Sequence, residues 1–208
     1  PQVNGGIKVY AMVNDTFNNV GIATTSISII DKRAAKRKFL VPKAALPFYV
    51  YKDNKNLPYV LSAYMGDYEA IKVDLNNKAT VKSGETAIKI EFKGQNEWYG
   101  LGFVDPANDW GDILGGYDIS GAETFSFWAK ASYDNLNAEI GFGLIEEGDK
   151  PFYDSSKKLV ELTLTNEWEK YTIKTKRLDL TSIRSGFVIF TSGQGMSHTI
   201  YIDEIVFE

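Results

Sequence analysis

From about residue 46 to the C-terminus, apolar and polar residues alternate with a period of two in short runs, each closed by Gly, Asn, Asp or Pro. The alternation predicts strands near 48–52, 58–63, 69–75, 86–92, 97–103, 123–131, 137–145, 158–164, 168–175, 185–191 and 198–207. A period of two sends successive side chains to opposite faces, so each run offers one face to a core and one to water. Many short strands separated by turns, with no helix longer than about two turns, predict an all-β, antiparallel β-sandwich of the jelly-roll type over 46–208. No repeat of solenoid or propeller length is present.

The first 45 residues read differently. GIKVYAMVND alternates Ile7, Val9, Ala11 and Val13 against Lys8, Tyr10 and Met12, TFNN turns the chain, and VGIATTSISII returns it. Residues 1–30 thus predict a β-hairpin, and a lone hairpin is marginal in water. It therefore either packs on the rest of the chain or is what remains of an immunoglobulin-like domain, the reading we favour. Residues 31–45 form a basic linker in which Asp31 caps a short helix carrying Lys32, Arg33, Lys36, Arg37 and Lys38, ended by Pro42. The basic cluster reads as a solvated helix face rather than a nucleic-acid or membrane patch, because the remainder of the chain is acidic.

Two predicted strands carry glycines on one face only. Parity places Trp98, Gly100 and Gly102 opposite Tyr99, Leu101 and Phe103, and Glu139, Gly141 and Gly143 opposite Ala138, Ile140, Phe142 and Leu144. Glycine weakens a strand interior and marks a bulge, a bend or a close backbone approach. If both strands lie in one sheet with their apolar faces inward, their outer faces form a shallow, side-chain-poor trough bearing Trp98 and Glu139, suited to an elongated polar ligand.

The chain has 208 residues, 13% of them aromatic, with 18 glycines and no cysteine. The missing cysteines exclude disulfides, Cys-ligated zinc and thiol catalysis. A net charge of -4 argues against nucleic acid as the main partner. No apolar run is long enough to span a membrane. No leader-like segment opens the sequence, so any secretion signal lies upstream or has been removed.

In chain order appear PFYVYKD, SAYMGD, SGETAIKI, WYGLGFVDPANDWGD, GGYDISGAETFSFWAKA, LTNEWEKYTI and YIDEIVFE. With these motifs, residues 46–208 resemble the carbohydrate-binding modules with a galactose-binding-like jelly roll. They are most similar to a bacterial type marked by DPxNxWG, GGxDxSGA and FWA followed by a basic residue. The chain departs from that pattern at Tyr64 and Phe103, where tryptophan is expected, and at Gly102, where tyrosine is. The resemblance implies a non-catalytic module of a secreted, periplasmic or cell-surface protein, one that binds polysaccharide or oligosaccharide and is covalently linked to an upstream domain. It also implies a structural calcium where the first and last strands of the jelly roll meet, on Asp53, Asp203 and the backbone of Lys82 and Ser83. Calcium takes six to eight hard oxygens. Parity puts Asp203 on one face with Tyr201, Ile205 and Phe207, so it serves either such a site or a solvated or salt-bridged edge.

The candidate ligand residues are Trp98, Glu139, Tyr64, Trp110, Asp109 and Tyr153. Sugar rings present apolar faces to aromatic side chains and hydroxyl rims to carboxylates and amides. Trp110 is a ligand platform or a lid over the core, and Trp128 reads as buried beneath a neighbouring loop.

Two other functions compete. His198, the single histidine, has no local pattern of a triad or metal site. Glycosidases pair two acids, and Glu139, Asp105, Asp109, Glu146 and Glu147 are available, but the Glu-x-Asp-x-x-Glu spacing of jelly-roll glucanases is missing. A structural spacer or protein-docking module is the other alternative, and an open, aromatic-lined trough decides against it.

Overall fold

The computed structural model describes the backbone of strands β1 (Gly6–Asn14) and β2 (Val20–Ser28), and residues 40–148 and 150–208 throughout. β1 and β2 pair antiparallel, with Gly6 opposite Ser28 and Asn14 opposite Val20. The basic helix expected from Asp31 falls mostly on residues outside those described. Pro42 to Ala44 run against Asp118 instead: Ala44 N–H donates to Asp118 O, Asp118 N–H donates to Pro42 O (2.9 Å each), and Lys43 Nζ reaches the Asp118 carboxylate at 3.2 Å. The sandwich thus takes in residues that the polarity pattern left in the linker.

The remaining strands are β3 (Phe48–Tyr51), β4 (Val60–Gly66), β5 (Ile71–Asn77), β6 (Ala87–Phe92), β7 (Trp98–Val104), β8 (Thr124–Ala131), β9 (Leu136–Phe142), β10 (Lys158–Leu164), β11 (Glu169–Lys174), β12 (Ser185–Ser192) and β13 (His198–Phe207). They form two antiparallel sheets, in the orders β10-β9-β12-β7-β4 and β11-β8-β13-β6-β5. β13 shares one edge between two partners: His198–Ile202 pair with β6, and Ile205–Phe207 with β3. The only helical element among the described residues is the 3-10 turn Tyr68–Ala70.

The inward residues of both sheets meet in an aromatic core. Phe125 lies 5.4 Å from Phe142, 6.5 Å from Phe187 and 4.6 Å from Phe207, centroid to centroid. All four rings are almost completely buried. Phe125 and Phe207 come from one sheet and Phe142 and Phe187 from the other, so this cluster joins the layers. Burying each such ring stabilises the fold by roughly 1.5–3 kcal/mol.

In two places the alternation breaks, and each break changes a face assignment. At Glu204, with φ 47°, the register of β13 slips between Asp203 and Val206. This bulge places two residues where one belongs. Ile200 and Ile202 face the core before it, and Ile205 and Phe207 after it. Asp203 therefore stands on the outer face with Tyr201, not beside Ile205 and Phe207 as unbroken parity predicts. At Gly143, φ 78°, β9 has ended, and Leu144 crosses to the outer face, 3.5 Å from where a side chain on Gly102 would start.

Candidate functional site

The two glycine-bearing strands β7 and β9 lie in the same sheet, but β12 runs between them. Residues in direct register share a face, so the register defines transverse rows across the outer surface. One row runs Glu161, Glu139, Phe190, Gly100, Met65. Beside it, Thr163 pairs with Asn137 and Ser192 with Trp98. On the other side, Leu159, Gly141, Val188, Gly102 and Ala63 align.

These rows correct the picture of a bare trough. A Cβ on Gly100 would come within 2.6 Å of the Phe190 ring and 3.0 Å of Met65 Cε. The glycine makes room for an aromatic ring from the neighbouring strand, and Phe190 becomes the floor. Trp98, 55% exposed, stands at one wall. Its ring lies against Gly66, where φ is 66° and an added Cβ would fall 2.9 Å from the indole, while its carbonyl accepts a bond from Asp67 N–H at 2.9 Å. Glycine at that left-handed position lets β4 pass under the indole.

The opposite wall is polar. Gln194 grips the backbone of Asn137 from both sides, Nε2 donating to its carbonyl at 2.7 Å and Oε1 accepting from its N–H at 3.1 Å. Thr163 Oγ1 donates to Asn137 Oδ1 at 2.9 Å, so the Asn137 amide keeps its own donors for the groove. Glu139 and Glu161 stand directly opposite each other on adjacent strands, both exposed. Among the described residues neither carboxylate has a hydrogen-bond or ion-pair partner. The whole forms an open groove of about 800 Å³ lined by Trp98, Asn137, Glu139, Glu161, Phe190 and Gln194 among others. A second cleft, of about 510 Å³, separates edge strands β10 and β11 and carries Lys158, Lys170 and Lys174. Lysines are what exposed sheet edges use to prevent further pairing.

Of the other candidate ligand residues, none lines this groove. Tyr64 is in register with Leu101, which faces the core, so it projects from the edge strand on the side away from the groove. Asp109, Trp110 and Tyr153 sit in loops that follow the far ends of β7 and β9, roughly 20 Å along the strands from Trp98. Asp109 is buried and paired with the buried Arg184 guanidinium, and it also accepts from the N–H groups of Gly111, Asp112 and Ile113. It brackets the loop. Trp110, next in the chain, is 42% exposed, and Ile113 and Leu114 are exposed as well. Tyr153 Oη lies 3.2 Å from Glu147.

The acids of the expected calcium site flank one turn, but they hold it through donors. Asp203 accepts from the N–H groups of Lys82 (2.9 Å), Ser83 (3.0 Å) and Glu204 (2.8 Å). Asp53 accepts from Glu85 (2.7 Å) and Thr86 (2.9 Å). Lys82 and Ser83 thus present amide hydrogens to Asp203, and no third acid or histidine joins the two aspartates among the described residues. Two carboxylates already engaged by amides are a sparse donor set for calcium, which takes six to eight oxygens. Lys82 Nζ instead lies over the Trp128 ring at 4.1 Å, so Trp128 is half-buried beneath this turn as its parity predicts. Burial raises the Asp203 carboxyl above the ordinary value, opposed by the amides, whereas the amides of Glu85 and Thr86 lower that of Asp53.

His198 is part of the core. Its Nε2 shares a hydrogen bond of 2.9 Å with Tyr99 Oη, and the two rings stack. Burial pushes it down to about 4. The other acids considered for catalysis are engaged elsewhere: Asp105 accepts from Gly116 N–H at 2.7 Å, and Glu146 is paired with Lys157.

The fold as a whole is similar to known structures. The protein is similar to the family 30 carbohydrate-binding module of the cellulosomal cellulase Cel9D-Cel44B of Clostridium thermocellum, with a TM-score of 0.52 and 15% identity over 79% of this chain and 98% of that one. A further family 30 module structure gives 0.55 and 15%, covering 79% and 99% of the two chains. The family 11 module from Clostridium thermocellum, solved with a β-1,3-1,4-mixed-linked tetrasaccharide, gives 0.52 and 15%, covering 79% and 96%. The fold is that of the β-sandwich carbohydrate-binding modules. No protein-family model and no curated protein matches the sequence, so the likeness is one of structure.

Sequence reasoning missed Phe190, Glu161, Asn137 and Gln194. A signal existed for Phe190: Phe187 and Ile189 fill the core face of β12, which turns Val188, Phe190 and Ser192 outward. An aromatic residue on the outer face between two glycine-bearing strands marks the groove floor.

Proposed function

We propose that this protein binds a polysaccharide without cleaving it, in the outer groove of the five-stranded sheet. The observation that carries the reading is the presence of a half-exposed Trp98 and of Phe190 on one surface with the polar side chains of Asn137, Glu139, Glu161, Thr163, Ser192 and Gln194. Flat rings take the apolar faces of sugars, and amides and hydroxyls meet their rims. An open groove suits chains over single sugars, because each ring adds a modest contact and one sugar alone does not offset its lost freedom. The fold shared with a module solved on a mixed-linked tetrasaccharide supports the same reading.

The fold shared with carbohydrate-binding modules supports binding without cleavage. Glycosidases set two carboxyls on either side of the scissile bond. Glu139 and Glu161 are the two acids that line this groove, and an assay for released reducing ends tests them directly. The parent protein then supplies any chemistry, and a secreted or surface location goes with such a ligand.

Affinity electrophoresis against soluble glucans, mannans and xylans tests the proposal. Retardation is expected for the unaltered protein and lost in Trp98→Ala, with no reducing ends released. No retardation across a broad panel would favour a structural spacer; accumulating reducing ends would favour an enzyme.

A further inference from the structure

The two glutamates carry the reading one step further, to the chemical class of the glycan. Cross-strand neighbours in direct register hold their Cβ atoms about 4.5–5.5 Å apart, and like charges there oppose folding. Several acids elsewhere on the surface have lysine partners: Glu85 with Lys55, Glu91 with Lys89, Glu123 with Lys176, Glu146 with Lys157. Glu139 and Glu161 have none among the described residues, and no Lys, Arg or His lines the groove they share with Phe190 and Trp98. Lys158 of β10 and Lys170 and Lys174 of β11 line the separate cleft between those two edge strands. The groove is therefore an aromatic platform with two negative charges and no positive one.

Resting on the groove-binding reading, we propose that the preferred ligand is a glycan with free, protonated amino groups, such as a β-linked glucosamine polymer. One ammonium lies between Glu139 and Glu161 while the adjacent sugar faces rest on Phe190 and Trp98. An ammonium there removes the repulsion between the two acids and makes charge-assisted hydrogen bonds to both. A uronic-acid or sulfated chain meets two like charges and is turned away. An N-acetylated chain keeps the ring contacts but offers no charge.

Isothermal titration at about pH 6, where side-chain carboxyls are ionised, distinguishes these outcomes. The probes are short β-1,4-linked glucosamine oligomers, their N-acetylated counterparts and glucose oligomers of equal length. The amine form should bind roughly tenfold or more tightly than the other two, as expected for a hydrogen bond to a charged group. That preference should shrink with added salt and vanish in the Glu139→Gln/Glu161→Gln double variant, whose folding is checked by thermal unfolding. Trp98→Ala should weaken every probe. Equal or tighter binding of the acetylated or glucose oligomers overturns the inference and leaves the groove reading intact, as does an amine preference that survives in the double variant. Binding of none of the probes, nor of any glycan in the electrophoretic panel, removes both.

Discussion

Two pairs of acids, one beside each sheet, behave oppositely. On the six-stranded side Asp53 and Asp203 accept five backbone N–H bonds and hold the turn at Lys82–Thr86 in place. On the five-stranded side Glu139 and Glu161 accept none from the described residues. Aspartate reaches a nearby backbone with a short side chain, whereas the longer glutamates stand clear of the sheet in water. The first pair completes the fold; the second weakens it slightly and leaves two acceptors for something outside the protein. Carboxylates that are satisfied internally are structure, and those left open on a groove are the ones the proposal assigns to a ligand.

The comparison breaks first at the buried ion pair. Asp109→Ala leaves the Arg184 guanidinium buried and uncompensated, which costs about 3–5 kcal/mol. Urea unfolding should show this loss, while any protein that remains folded keeps its glycan retardation, because Asp109 is remote from the groove.

Next comes acidification. Burial holds His198 at about 4 against an ordinary 6.5, so the folded state keeps it neutral while the unfolded chain takes up a proton first. Its contribution to stability is complete above pH 6.5 and is lost as the pH falls towards 4, by roughly 3 kcal/mol at most. Asp154 and Asp203, both raised by burial, work with the opposite sign, gaining stability as the pH falls. Comparing the pH dependence of unfolding in the unaltered protein and in His198→Gln isolates the histidine; the variant should show the shallower loss below pH 6.5.

Asp203→Ala should cost about 1–3 kcal/mol, the penalty of leaving buried donors unmet. A chelator should leave the melting temperature of the unaltered protein unchanged, since the turn is held by amides. A lowered melting temperature on chelation would restore calcium to the site.

The smallest effect has the reverse sign. Glu161→Gln removes the cross-strand repulsion and should raise stability by a few tenths of a kcal/mol. If Glu161→Gln and Asp203→Ala were equally destabilising, the distinction between the two acid pairs would fail.

The fold was almost wholly legible in the sequence because period-two alternation reports which face is dry. Strand positions agree with the structure to within a few residues, and β10 and β13 match in full. What failed did so where backbone geometry overrides the period. The bulge at Glu204 reverses the parity of β13, so Asp203 changes face, and Gly143 lets Leu144 cross over. In the groove, Trp98 and Glu139 were legible as residues opposite buried neighbours. Phe190 was not read as its floor, because the order of strands in a sheet is decided by long-range pairing: nothing local to β7 or β9 says that β12 lies between them. The pairing of Asp109 was illegible for a similar reason, its partner Arg184 being distant in the chain.

The groove residues alternate one for one with core residues: Trp98 precedes Tyr99, Glu139 precedes Ile140, and Phe190 follows Ile189. Each strand thus writes two independent texts, one addressed to the interior and one to the surroundings. A lineage can rewrite the outward text one letter at a time while the inward one stays fixed, so such a scaffold can change what its outer face meets without first learning to fold again.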